Sequence, residues 1–138
     1  MFNVLPEINW LAVIVSTLVF AVLGYVYFVI LVPKPYKIAL GNENRELPAP
    51  GLLLTAGPLI PSLAIVITTA VLLRALAVET FGDALAFGLI IGVGYLVAQT
   101  LTIALNPNFP RPLLYTLLNA PYFVICTVAA SIILTLWR

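Results

Sequence analysis

The chain has 138 residues, 63% of them hydrophobic and 8% charged, with a net charge of +1. A soluble domain carries about 25% charged residues, so a chain this short and apolar has too little polar surface to meet water on all sides. The absence of histidine excludes imidazole ligation of haem, chlorophyll or zinc, and six scattered basic residues make no nucleic-acid footprint. The one cysteine, Cys126, allows neither an internal disulfide nor a thiolate metal cluster.

A bilayer is crossed by about 20 apolar residues in a helix, and the sequence offers four such runs. The reading is an all-α membrane protein, with four transmembrane helices in a compact bundle and one membrane domain over residues 1–138. The helices are expected at about 8–32, 52–77, 84–106 and 113–137, with a polar loop at 33–50.

Asn9 and Trp10 sit at the entry of helix one, where an indole suits the membrane interface. No Lys or Arg precedes the run, it is too long for a signal h-region, and no small-residue cleavage site follows. It therefore reads as a retained span. Thr17, Ala21, Gly24 and Phe28 share a face, and Gly24 lets a neighbour approach. Pro33 and Pro35 are expected to stop the helix. The loop that follows is the most polar stretch, with Lys34, Lys37, Glu43, Arg45 and Glu46, and Gly41-Asn42 reads as a turn.

Pro58 and Pro61 remove backbone donors early in helix two and should kink it. Arg74 lies near its end, within snorkelling reach of the interface. Thr80 or Asp83 is suited to cap helix three.

Helix three carries the clearest pattern. At 100° per residue, Ala84, Gly88, Gly92, Tyr95, Gln99, Thr102 and Asn106 fall on one narrow face. The helix is therefore expected to be the one the others pack around. Gly88 and Gly92 form a GxxxG step, which lets helices approach closely. Two readings fit the stripe: a packing seam with interhelical hydrogen bonds, or a polar lining for a small solute or lipid headgroup.

Asn106 to Pro112 reads NPNFPRP, a rigid loop. In helix four, Tyr115, Asn119, Tyr122, Cys126 and Ala129 again share a face. The Asn119 amide is expected to find a partner on another helix, Gln99 or Asn106. Pro33-Lys34-Pro35 and Pro110-Arg111-Pro112 resemble each other and hint at an old duplication of a two-helix unit. Lys34, Lys37, Arg45 and Arg111 lie in these two loops, against Arg74 and Arg138 on the other side. That bias puts the loops in the cytoplasm and both termini outside.

Asn9-Trp10-Leu11-Ala12-Val13, Gly24-Tyr25 and Lys34-x-Tyr36…Gly41 resemble the start of the membrane family known as domain of unknown function 1761. Arg111-Pro112-Leu113, Asn119-Ala120-x-Tyr122 and Leu136-Trp137 resemble its C-terminal part. The chain departs from that pattern at Tyr36, where Trp is usual, and at the neighbouring Pro35. The resemblance implies a small four-helix protein of the bacterial inner membrane, and it carries no reaction and no functional residue.

Every carboxylate lies in a loop or terminus, and Cys126 has no cationic neighbour in sequence to make it a thiolate. Catalysis, cofactors and metals are not expected. No ionisable group sits mid-span, which argues against a pump. The expected role is a structural or accessory subunit, in contact with lipids, other membrane subunits or further copies of itself. The alternative is a passive path or lipid site for a small neutral solute, built from Tyr95, Gln99, Thr102, Asn106, Tyr115, Asn119 and Tyr122.

Overall fold

Asn9 fixes where the first helix begins. Its Oδ1 accepts hydrogen bonds from the N–H groups of Leu11 and Ala12, at 3.0 and 3.2 Å. Two of the donors that every helix leaves open at its start are thereby satisfied. In the computed structural model, which describes residues 3–45 and 51–137, helix α1 runs Trp10–Tyr25. It continues through a wider π-helical stretch, Val26–Leu31. Glu46, Pro50 and Arg138, placed above in the polar loop and at the chain end, lie outside the described residues.

Pro33 does not open a plain loop, as the sequence suggested. Its fixed φ and missing N–H suit the first position of a helix, and a short helix α2, Pro33–Ala39, follows at once. Gly41 then turns the chain with φ of +69°, and a Cβ there would lie 2.9 Å from Pro110 Cγ. Only glycine satisfies both conditions without strain.

The single helix expected over 52–77 is two, α3 (Leu52–Ala56) and α4 (Leu59–Ala75). The break falls at Gly57 and Pro58, where the prolyl nitrogen has no proton to give. Ser62 Oγ returns to the Pro58 carbonyl at 2.8 Å. At the far end, Val78 N–H bonds Leu73 O at 2.9 Å and Ala77 takes φ of +52°. This is the ordinary left-handed helix stop, made with alanine in place of glycine.

Helix three starts earlier than expected, because Thr80 caps it. Thr80 Oγ1 accepts from Asp83 N–H at 3.1 Å and donates to Asp83 Oδ2 at 2.7 Å. The rod comprises α5 (Phe81–Ile91), a π-helical stretch (Gly92–Val97) and α6 (Ala98–Ala104). Asn106 falls beyond its end. The last helix, α7, runs Pro112–Leu136 with Pro121 inside it.

Among the described residues every regular element is helical. Three rods are long and apolar enough to cross a membrane: Trp10–Leu31, Phe81–Ala104 and Pro112–Leu136. Helix α4 is a shorter apolar helix of 17 residues.

The central helix is α7, not helix three. It packs against α1, α2, α4, α5 and α6, while α1 also packs on α4. Its buried positions are mostly small (Cys126, Thr127, Ala130 and Ser131), so several neighbours can reach its backbone. Helix three buries one face, Ala84, Gly88, Gly92, Thr100 and Ala104, and that face meets one main partner, α7. Many large side chains lie outside: Leu11, Ile14, Leu18 and Val22 on α1, and Leu117 and Ile125 on α7, are exposed, while Phe20, Val66, Leu73 and Leu134 form a smaller apolar core. Small and hydroxylated residues inside with large apolar ones outside is the arrangement lipid favours, since burying grease gains nothing there.

Candidate functional site

Two regions hold the residues singled out from the sequence, and they do not meet as one stripe. The first is the contact between helix three and α7. Ala84, Gly88 and Gly92 are buried against α7. A Cβ added at Gly88 would lie 2.6 Å from Val128 Cα, and one at Gly92 would lie 2.5 Å from Thr127 Oγ1. Thr127 completes the contact: its hydroxyl lies 2.9 Å from the Gly88 carbonyl on the facing helix and 2.9 Å from its own Phe123 carbonyl.

Thr127 was not among the sequence candidates, although a signal existed. Helices joined by a short loop run antiparallel and pair residues equally far from its centre. Asn108 lies midway between Gly88 and Val128 in the sequence.

The stripe then leaves this contact. Tyr95, Gln99 and Thr102 are exposed, Tyr95 by 68%. The π-helical stretch from Gly92 to Val97 is the cause. It adds a residue to the turn, so everything after it is rotated relative to a uniform 100° helix. Thr100 and Ala104 take the buried face instead. Thr100 and Thr102 both return their hydroxyls to their own helix, to Leu96 O at 2.7 Å and Ala98 O at 3.0 Å.

Asn106 serves the loop rather than the stripe. Its side chain donates to the Ile103 carbonyl and accepts from Asn108 N–H at 2.8 Å. Asn119 does not reach another helix either: it is 4% exposed and donates through Nδ2 to Tyr115 O, one turn back, at 2.7 Å. The expected partners Gln99 and Asn106 are engaged elsewhere or turned outward.

The second region is an aromatic cluster at the loop end of α1 and α7. Tyr122 is its hub, with ring centroids 5.1 Å from Phe28, 5.2 Å from Phe123, 6.3 Å from Tyr27 and 6.4 Å from Phe20. Its hydroxyl donates to Phe20 O at 3.3 Å. Gly24 makes room for it, since a Cβ there would sit 3.2 Å from that hydroxyl. The cluster extends through Phe28 to Tyr36, then Tyr115 and Phe109. Burial, and then the adjacent Tyr115, push the Tyr36 hydroxyl above its ordinary value, so it stays protonated.

Arg111 closes this end. Its guanidinium donates to the Ile38 carbonyl and to Glu43 Oε1 at 2.8 Å, tying α2 and the following turn to the start of α7. The Arg111 hydrogen bond holds the Glu43 carboxyl below its usual range, and Glu43 raises Arg111 in return. A carboxyl depressed in the folded state stabilises it above the unfolded pKa and loses that contribution as pH falls through the folded one. Hydrogen exchange of residues 40–45, corrected for intrinsic rates, is therefore expected to rise as pH falls below the ordinary carboxylate range. In Glu43→Gln the rise should be absent; a rise that persisted would place its origin elsewhere.

Deeper along the α1–α7 contact, Ser16 and Ser131 are fully buried, and among the described residues their hydroxyls have no partner. Their small size lets α1 and α7 approach. Between α4 and helix three runs a groove of about 390 Å³, lined by Ala64, Thr68, Thr69, Leu72, Ile91 and Tyr95 among others. Among the described residues no three His, Cys, Asp or Glu side chains are placed to hold a metal.

Residues 11–135 match the model of a family described as Protein of unknown function (DUF1761). No curated protein and no solved structure matches the chain.

Proposed function

We propose, from the premise that this chain belongs to the DUF1761 family of proteins of unknown function, that it acts as a structural or accessory component of a membrane assembly, without catalysis. In this reading α3 and α4 together make a fourth crossing, kinked at Pro58. The two charged loops lie in the cytoplasm and both termini outside, in a bacterial inner membrane.

One observation carries the proposal. The polar groups buried between the helices are mostly turned back onto their own backbones. Thr17 bonds Val13 O, Ser62 bonds Pro58 O, Thr69 bonds Ile65 O, Thr116 bonds Pro112 O and Asn119 bonds Tyr115 O, at 2.7–2.9 Å. A solute path needs donors and acceptors free to replace water around the solute. Groups that satisfy their own helices serve packing, and what such a bundle offers other molecules is its outer faces.

Asn119→Leu tests this. A packing role predicts a loss of about 1 kcal/mol in unfolding free energy, the size of one hydrogen bond, with no change in solute leak across proteoliposomes. A change in flux at unchanged stability would establish the pathway in its place.

The groove beside Tyr95 favours a second reading, a seat for a lipid acyl chain. Thr68→Trp would fill it. Loss of co-purifying lipid without loss of fold would support that reading, and unchanged lipid content would remove it.

A further inference from the structure

We infer that the groove between α4 and helix three seats the head of an isoprenoid quinone, with the hydroxyls of Thr68 and Tyr95 donating to its carbonyl oxygens. The inference rests on the second reading above, a lipid seat beside Tyr95, and names the class of lipid.

The groove exists because α4 packs closely on α1 and α7 but not on helix three. Its size selects among occupants. It runs along α4 over residues 64–72, about 12 Å at 1.5 Å per residue. A helix about 10 Å wide would fill about 900 Å³ over that length, more than twice the space of about 390 Å³ that is present. A cavity of about 150 Å³ takes a benzene ring, so this groove takes a substituted ring and the first part of a tail.

Its polar atoms select further. Between the helices, the hydroxyls of Thr17, Ser62, Thr69, Thr100 and Thr116 return to carbonyls of their own helices. Those of Thr68 and Tyr95, both on the wall of the groove, have no hydrogen-bond partner among the described residues. Depth decides what reaches them. Thr68 lies beside the centre of α4, and Tyr95 within about 4 Å of the centre of the Phe81–Ala104 rod. The ester groups of a phospholipid stay about 15 Å away, at the edge of a hydrocarbon core about 30 Å thick. A phospholipid therefore brings only an acyl chain here, and an acyl chain accepts from neither hydroxyl. Polar groups left unbonded in hydrocarbon are disfavoured. A quinone carries carbonyl acceptors on a flat apolar ring, has no charge to desolvate, and enters from the bilayer itself. Ile65, Leu72, Ile91 and Leu96 supply the apolar walls. The inference is of binding; no electron transfer is part of it.

The test uses the whole chain in phosphatidylcholine nanodiscs. On illumination, an azido-benzoquinone with a short isoprenoid tail is expected to label α4 and residues 91–96, and excess unlabelled benzoquinone to abolish the label. Thr68→Val combined with Tyr95→Phe keeps the shape of the groove and removes both donors. Its apparent dissociation constant is expected to rise about tenfold, with helix content unchanged.

Label spread over all helices and indifferent to unlabelled quinone would overturn the inference, as would an unchanged affinity in the combined variant. If quinone fails to label the groove while Thr68→Trp still sheds co-purifying phospholipid, the lipid seat stands and the quinone falls. If Thr68→Trp alters neither lipid content nor labelling, both fall.

Discussion

Alanine at Gly88 is expected to drive helix three off α7. The added methyl would sit 2.6 Å from Val128 Cα, 2.9 Å from Val128 N and 3.0 Å from Thr127 O. All three are backbone atoms, so no rotamer change relieves the clash. Either the two helices separate or the register slips, and in both cases the Thr127 hydroxyl loses the Gly88 carbonyl. Overpacking costs about 1–3 kcal/mol when side chains can yield, and here they cannot, so the expected loss is about 3 kcal/mol. Against it stands the intrinsic gain of about 1 kcal/mol from replacing glycine by alanine in a helix. The clash wins, and the net loss of about 2 kcal/mol is large for a small protein.

Gly94→Ala is the matched control. It makes the same chemical change on the same rod with nothing within 4 Å, so only the propensity gain remains. Denaturation of the two variants in mixed micelles should separate them clearly. Equal stabilities would mean that helix three does not meet α7 at Gly88.

The split between these two glycines also shows where sequence reading stops. Periodicity places Gly88 and Gly92 on a common face because α5 is a regular helix, and the extrapolation holds as far as the helix does. Beyond Gly92 the rod widens by a turn that hydrophobic pattern does not encode. Two glycines lie in that stretch and lower the preference for α geometry, but composition cannot fix which hydrogen bonds form. Tyr95, Gln99 and Thr102 consequently face outward, and the expected single stripe becomes an inner seam and an outer edge.

The choice of central helix failed for a related reason. The sequence displays small residues most openly on helix three. Yet centrality depends on how many faces of a helix are small, and on α7 the small residues are distributed among larger ones. The three long rods were legible because they depend on local hydrophobicity alone, whereas local chemistry leaves both Thr80 and Asp83 open as the cap of helix three and does not single out Asn9 as the cap of α1. Helix α2 was hidden behind Pro33, which ends one helix and begins the next.

The aromatic hub permits the other large expected effect. Tyr122→Ala should destabilise the protein by about 4 kcal/mol, within the range for deleting a packed ring. The ring touches Phe20, Tyr27, Phe28 and Phe123, so its loss removes contacts with α1, its π-helical extension and α7 itself. In lipid the loss arises from dispersion and shape, since apolar surface gains little by leaving acyl chains. Tyr122→Phe separates ring from hydroxyl. It keeps every ring contact and loses the hydroxyl's hydrogen bond to Phe20 O at 3.3 Å together with its contact with the Cys126 thiol, with an expected cost of about 0.5–1 kcal/mol.

The same hydroxyl sets the tolerance at Gly24. An alanine there would bring a methyl to 3.2 Å from it, tight enough to push the ring and tilt α1. Removing the hydroxyl removes the obstacle, so Gly24→Ala should cost less in the Tyr122→Phe background than in the native chain. A double-mutant cycle by unfolding measures that difference directly. Additive effects would mean that the α1–α7 contact at this level is looser than the distances imply. Coupling would establish that a glycine and a tyrosine, far apart in sequence, set the spacing of α1 and α7 between them.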